Sequence, residues 1–274
     1  MNIKTKKSIL VLYTVLAFVL GVIFAVWRTV LLKQNYDPYD GTFELGSGDI
    51  LQTCEYFLIF AVLLMLTALF FMKGISFKRF GERYSTASLS VFIICGIVTI
   101  TATVLSVIDM LFGTRSNSFV TKLFTVLSFI TVIFVIAYFF MSALPQYRNN
   151  RIKLVFSLII PVFILCYLVA SYFNTDFVYN DFNRISCHIS LLSILFFSLS
   201  EASLSLGRKA HIFNFMTTLI CIVCIPAYII PLIALAAFWE VQFTAILLFE
   251  IFQIAFLIYA TASALSAVKT ICEA

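Results

Sequence analysis

Apolar residues run along this chain in long blocks, and short clusters of Lys, Arg, Asp, Asn and Gly separate the blocks. A helix rises ~1.5 Å per residue, so roughly 20 apolar residues cross a ~30 Å hydrocarbon layer in which no water can satisfy the backbone. Eight blocks meet that length: 8–32, 49–72, 86–112, 119–144, 153–173, 185–206, 212–238 and 242–268. They predict an all-α fold, a polytopic transmembrane helix bundle of eight spans. Residues 1–274 then form a single transmembrane domain with no soluble domain. Composition agrees: 62% of residues are hydrophobic, 11% are charged, and there are 31 Phe and 12 Tyr. Soluble domains carry about 25% charge, and a disordered chain cannot keep so many aromatic rings solvated.

Charge adds an orientation. Lys and Arg in short loops are retained on the cytoplasmic side. With the amino terminus inside, 13 of the 18 basic residues fall on the inner side, including Lys73, Lys78, Arg79, Arg83, Arg148, Arg151, Arg208 and Lys209. Ten of the 13 acids fall on the outer side, leaving only Glu82, Glu201 and Glu273 within. The expectation is a multi-pass protein of the cytoplasmic membrane with both termini cytoplasmic and the lipid bilayer as its first partner. The net charge of +5 is spread over five inner segments, a topology signal rather than a nucleic-acid face. The first apolar block is longer than a signal-peptide core and lacks a small-x-small cleavage site, so it reads as an uncleaved span.

Helices in lipid associate where small side chains let backbones approach. Ala17-x-x-x-Gly21-x-x-x-Ala25 and Ala260-x-x-x-Ala264 supply such faces. Pro161, Pro226 and Pro231 fall inside spans, where each removes a backbone donor. Pro226 and Pro231 together raise two expectations, a packing kink or a carbonyl opened to a cavity. Tyr138…Ser142-Ala143-Leu144 and Tyr259…Ser263-Ala264-Leu265 share one internal spacing, which raises a 4 + 4 parallel duplication. The seven cysteines make no disulfide framework; Cys54 and Cys187, both near outer span ends, are the one pair positioned to bridge.

Polar residues inside the spans carry the functional reading, because a charge at mid-bilayer costs roughly 2.5–3.5 kcal/mol and needs a partner, a cavity or a proton. Glu250 lies deep in the last span and shares a face with Gln242, Gln253, Ala260, Thr261 and Ala264 at ~100° per residue. A second stripe, Ser186, Ser190, Ser193, Ser200 and Glu201, lies on one face of the sixth span, with His188 pointing away. Serine can satisfy itself on a carbonyl one turn back, so helix packing competes with conduction there. Glu201 is also near Arg208 and Lys209, where an interfacial ion pair would explain it. The third span adds Thr99, Thr103 and Ser106. At the outer rim, Arg28, Glu55, Asp109 and His188 would form a vestibule if their helix ends converge, although Arg28 can equally snorkel to the headgroups.

The outer loop holds Tyr36-Asp37-Pro38-Tyr39-Asp40-Gly41-Thr42-Phe43-Glu44, turn chemistry in which Pro presets one dihedral and Gly allows a positive one. Its acids depart from the Asp-x-Asp-x-Asp-Gly calcium spacing. Asp49-Ile50-Leu51-Gln52 reads as a capping box opening span two. Arg28 followed by Tyr36-Asp37-Pro38…Gly41-x-Phe43 resembles an element of uncharacterised multi-span membrane proteins of low-GC Gram-positive bacteria. That resemblance covers about 20 residues and implies no activity or site residue.

The sequence contains no His-Glu-x-x-His, Gly-x-Ser-x-Gly or Walker motif, and His188 and His211 fall on opposite membrane sides. No catalytic residue, metal site or cofactor is therefore expected. The leading expectation is a small permease-like protein that binds a solute or proton from the outer side, with Glu250 and Gln253 lining the site and Arg28, Glu55 and Asp109 at its mouth. The alternatives are a non-transporting sensor or partner subunit of a membrane complex, and an intramembrane lipid-acting enzyme with Glu201 or Asp109 as an acid.

Overall fold

The computed structural model describes residues 3–37, 42–43, 48–71, 86–112, 119–144, 151–173, 182–206, 211–239 and 244–273. The long helices are α1 (Ile3–Asn35), α2 (Gly48–Leu66), α4 (Thr86–Phe112), α5 (Phe119–Ala143), α6 (Arg151–Tyr172), α7 (Phe182–Ser205), α8 (His211–Trp239) and α9 (Thr244–Glu273). A one-turn α3 (Ala68–Phe71) follows α2, and a two-residue ladder joins β1 (Tyr36–Asp37) to β2 (Thr42–Phe43) in antiparallel register. The antiparallel pairing means that the chain reverses between Asp37 and Thr42. Residues 38–41 lie outside the described residues.

Seven helices are long and apolar enough to cross a membrane. The apolar part of the second segment, Gln52–Leu66, is shorter, roughly 20 Å at ~1.5 Å per residue. That segment does not run through to residue 72 as one helix. It breaks at Thr67, whose N–H bonds the Leu64 carbonyl at 3.1 Å while its hydroxyl, donating to the same carbonyl at 2.6 Å, meets the Tyr13 hydroxyl of α1. The start differs as well. The helix already begins at Gly48, and the Gln52 amide donates to the Tyr56 hydroxyl at 2.7 Å; the Asp49 side chain of the expected capping box lies outside the described residues.

α8 is the most deeply buried of the long helices. Its residues 214–219 and 221–229 are buried without interruption, as expected of a helix apolar on every side. Contacts run from α4 through α5, α6, α7, α8 and α9 back to α4, closing a ring of six helices. α1 lies along the outer side of α8, and α2 fills the angle among α1, α8 and α7. The interior of the ring is packed with aromatic side chains. Phe139 meets Phe256 and Tyr259, and Phe252 meets Phe163, Tyr167 and Phe256, with centroids 5.1–6.1 Å apart. Large apolar side chains also face outward, among them Leu12, Phe60 and Ile133, each more than 60% exposed. Such a girdle around an already filled interior belongs to a multi-pass membrane protein, with acyl chains as the solvent of its outer surface.

Ala17, Gly21 and Ala25 are all buried, and Gly21 packs against α8. Both prolines of α8 lie within the continuous helix and are buried. Pro226 leaves the Ile222 carbonyl without its helical donor, and Gly21 covers that oxygen, so the carbonyl meets another helix rather than a cavity. The helix pairing does not repeat under exchange of the two halves. α1 packs along α8, whereas α6, its counterpart, makes no comparable contact with α4 among the described residues.

Candidate functional site

The face of α7 anticipated from helical periodicity is buried along its whole length: Ser186, Ser190, Ser193, Ser200 and Glu201 are each at most 4% exposed. The face turns toward α1, α2, α8 and α9, and its partners change from one end to the other. From Ser186 to Glu201 it extends ~22 Å at ~1.5 Å per residue.

At one end, Arg28 from the last turns of α1 reaches Glu55 near the start of α2. Nη1 of Arg28 pairs with Oε1 of Glu55 and donates to the Ser186 hydroxyl, which in turn donates to the same carboxylate oxygen. Arg28 is 3% exposed and Glu55 6%, so the arginine is ion-paired inside the protein and does not snorkel to headgroups. Pairing brings the net charge of this buried cluster close to zero, the condition under which two charges persist away from water. Glu55 Oε2 has no hydrogen-bond partner among the described residues, leaving one acceptor in reserve.

In the middle, Ser190 donates to Oε1 of Gln253 on α9 at 2.6 Å, and both residues are fully buried. Ser193 donates to the Ser190 carbonyl at 2.6 Å and lies beside the Cys221 thiol of α8. At the far end, Glu201 accepts from two neutral donors. Nδ2 of Asn214 on α8 donates to Oε1 at 2.8 Å, and the Tyr259 hydroxyl on α9 donates to Oε2 at 2.7 Å. Asn214 also donates to Ser200 at 2.9 Å, and Ser200 meets the Thr217 hydroxyl at 3.0 Å. Arg208 and Lys209 lie outside the described residues. The Tyr259 hydroxyl continues to that of Tyr138 on α5, 3.3 Å away. Both oxygens of Glu201 are thus satisfied within the bundle, and the group sits below the helix surface.

The expected site residues separate into those brought together and those not. Arg28, Glu55 and Ser186 form one cluster, Ser190 and Gln253 a second, and Ser200 and Glu201 a third. His188 turns to the opposite side of α7, where its Nε2 lies 3.2 Å from the Ser171 hydroxyl of α6. The side chains of Asp109 and Glu250 lie outside the described residues, although their positions belong to α4 and α9. Thr99, Thr103 and Ser106 each bond a carbonyl four residues back within α4, at 2.7–2.8 Å, and build no site. Ser193, Ser198 and Ser200 likewise bond carbonyls three residues back, whereas Ser186 and Ser190 reach across to other helices.

Three participants were not anticipated: Asn214, Tyr259 and Tyr138. A lone asparagine in an apolar span was the available signal for the first. The tyrosines stood out only as matching positions in a suspected repeat. Cys54 and Cys187 are buried and not joined by a disulfide, and no group of three or more His, Cys, Asp or Glu able to hold a metal occurs among the described residues. No family model, curated protein or solved structure matches the chain.

Proposed function

We propose that this chain is a small permease-like membrane protein in which the polar face of α7 carries a proton, or a small polar solute with it, between two buried carboxylates. The observation behind this reading is the placement of Glu55 and Glu201 at opposite ends of one buried polar face, with the Ser190–Gln253 pair between them. The hydroxyls within each cluster both accept and donate, and in this reading water carries the proton across the gaps from one cluster to the next. A carboxylate inside a membrane protein is costly to maintain for packing alone, and intramembrane acids mark ion and proton pathways. On the charge bias of the loops, the Arg28 end faces outward and receives the proton or solute. Glu250, one turn before Gln253 on α9, completes the site in this reading, and Asp109 belongs to its mouth.

Reconstitution on a solid-supported membrane tests it. A pH step is expected to evoke a transient current from the wild-type protein that is lost in both Glu55→Gln and Glu201→Gln. Equal currents from the wild type and both variants contradict the proposal.

A second reading, a sensor or partner subunit without transport, draws on the aromatic packing of the ring interior. Phe197 lies on α7 between Ser193 and Ser200 and packs against Tyr259 at 5.3 Å, interrupting the polar face with a ring. In that case the column is an interhelical clamp. Both variants then lower thermal stability, and the wild type gives no current.

A further inference from the structure

We infer that Glu201 exchanges its proton with the membrane surface through the paired hydroxyls of Tyr138 and Tyr259, a route that leaves the bundle between α5 and α6 near Lys153. This rests on the proton-carrying reading of the α7 face and names the way out from its deep end.

Beyond Glu201 the polar face of α7 continues only to Ser205 at the helix end, whose hydroxyl donates back to the Glu201 carbonyl at 2.9 Å and so leads no further. The continuation instead runs sideways. The Tyr259 hydroxyl donates to Glu201 Oε2 at 2.7 Å and lies 3.3 Å from the Tyr138 hydroxyl. A phenol carries one donor hydrogen and accepts on the same oxygen, so two in series form a relay. The rings are held still. Tyr259 is packed by Phe92, Phe139 and Phe197 with centroids 5.3–6.0 Å away, and Tyr138 by Phe139 at 5.8 Å, so that only the hydroxyl hydrogens are left to rotate.

Two further observations mark the surface end. The Lys153 ammonium lies 5.6 Å from the centroid of the Tyr138 ring, and Lys153 belongs to the first turns of α6, so the ring is close to the helix ends. Ser142 lies one turn beyond Tyr138, the i, i+4 neighbour on the same helix face, and its Oγ is buried with no hydrogen-bond partner among the described residues. A hydroxyl with a spare donor and acceptor there is the next station outward.

The transfer balances without a further reactant except water. Inward, a hydronium ion at the surface gives a proton to Ser142, and a water bridging the two hydroxyls passes one on from Ser142 to Tyr138. Tyr138 passes its own hydroxyl hydrogen to Tyr259, and Tyr259 passes its hydrogen to the Glu201 carboxylate. Each hydroxyl gains one proton and loses one, and the net change is a protonated Glu201 and one water. The outward transfer is the reverse.

The test compares pH-step currents from Tyr138→Phe, Tyr259→Phe and Glu201→Gln with the wild type. Each tyrosine variant keeps its ring and loses only the relay oxygen. The expected result is a fall of ~10-fold or more in the current of Tyr138→Phe, with an unchanged thermal midpoint, and recovery in Tyr138→His, whose ring nitrogens again carry protons. A wild-type-sized current in Tyr138→Phe alongside a silent Glu201→Gln overturns the route while leaving the role of Glu201 intact. A wild-type-sized current in Glu201→Gln overturns the parent reading instead. If Tyr138→Phe loses current and stability together, Tyr138→His decides: no recovery in a stably folded protein overturns the relay.

Discussion

Gly21 of α1 stands directly against the Ile222 carbonyl oxygen of α8: a Cβ on Gly21 would fall 2.5 Å from that oxygen. The oxygen is the one that Pro226, four residues on, leaves without a helical N–H, so a glycine in one helix and a proline in another form a single packing feature. A methyl at this position cannot be accommodated by a flexible side chain, because the obstacle is backbone. Gly21→Ala is expected to lower stability by about 1–3 kcal/mol, and Gly21→Val by more. Thermal unfolding in detergent measures this, with lipid-facing Val22→Ala as a control expected to change little.

Arg28 and Glu55 neutralise one another within the bundle, so each depends on the other. Removing one partner of a buried pair typically costs about 3–5 kcal/mol, since the remaining charge is stranded. Arg28→Met and Glu55→Leu are each expected to destabilise strongly, and the double variant to recover much of the loss. A double-mutant cycle in bicelles would show this as a large coupling energy, and additive losses would contradict it.

Asn214 supplies a hydrogen bond to Glu201 from the neighbouring helix. Asn214→Leu deprives the carboxylate of a donor and is expected to cost about 1–3 kcal/mol. Asn214→Asp places a second acid beside the first and is expected to be worse, despite its near-identical shape. Equal stability of the two variants would contradict the assigned contact.

Cys54 and Cys187 adjoin Glu55 and Ser186 of the Arg28 cluster, are buried, and are not joined by a disulfide. The intact protein is expected to show the same mass and gel mobility with and without reductant. Both thiols should react with a maleimide only after unfolding.

Much of this fold is legible in the sequence because a bilayer permits so few backbone solutions: block length and hydropathy locate each long helix, with the largest miss at the end of α2, Leu66 against an expected 72. The break at Thr67 was not legible, since it depends on the Tyr13 hydroxyl of another helix. Neither was the deep burial of α8, although its uniformly apolar surface contained the hint. The α7 face follows from helical periodicity alone, and Arg28 and Glu55 were recognisable as rim charges. Which partners they meet is a matter of tertiary packing. Asn214, Tyr138 and Tyr259 join Glu201 from three different helices, a relation that no spacing within one segment encodes.

The central claim is that Glu201 sits on a proton path and is more than a clamp between α7, α8 and α9. The most direct measurement is proton entry into pyranine-loaded proteoliposomes under a valinomycin-set potassium potential, comparing wild-type protein, Glu201→Gln and protein-free vesicles. The account predicts acidification well above the protein-free rate for the wild type and at that rate for Glu201→Gln. A wild-type rate equal to that of empty vesicles, or a Glu201→Gln rate equal to wild type, would contradict it.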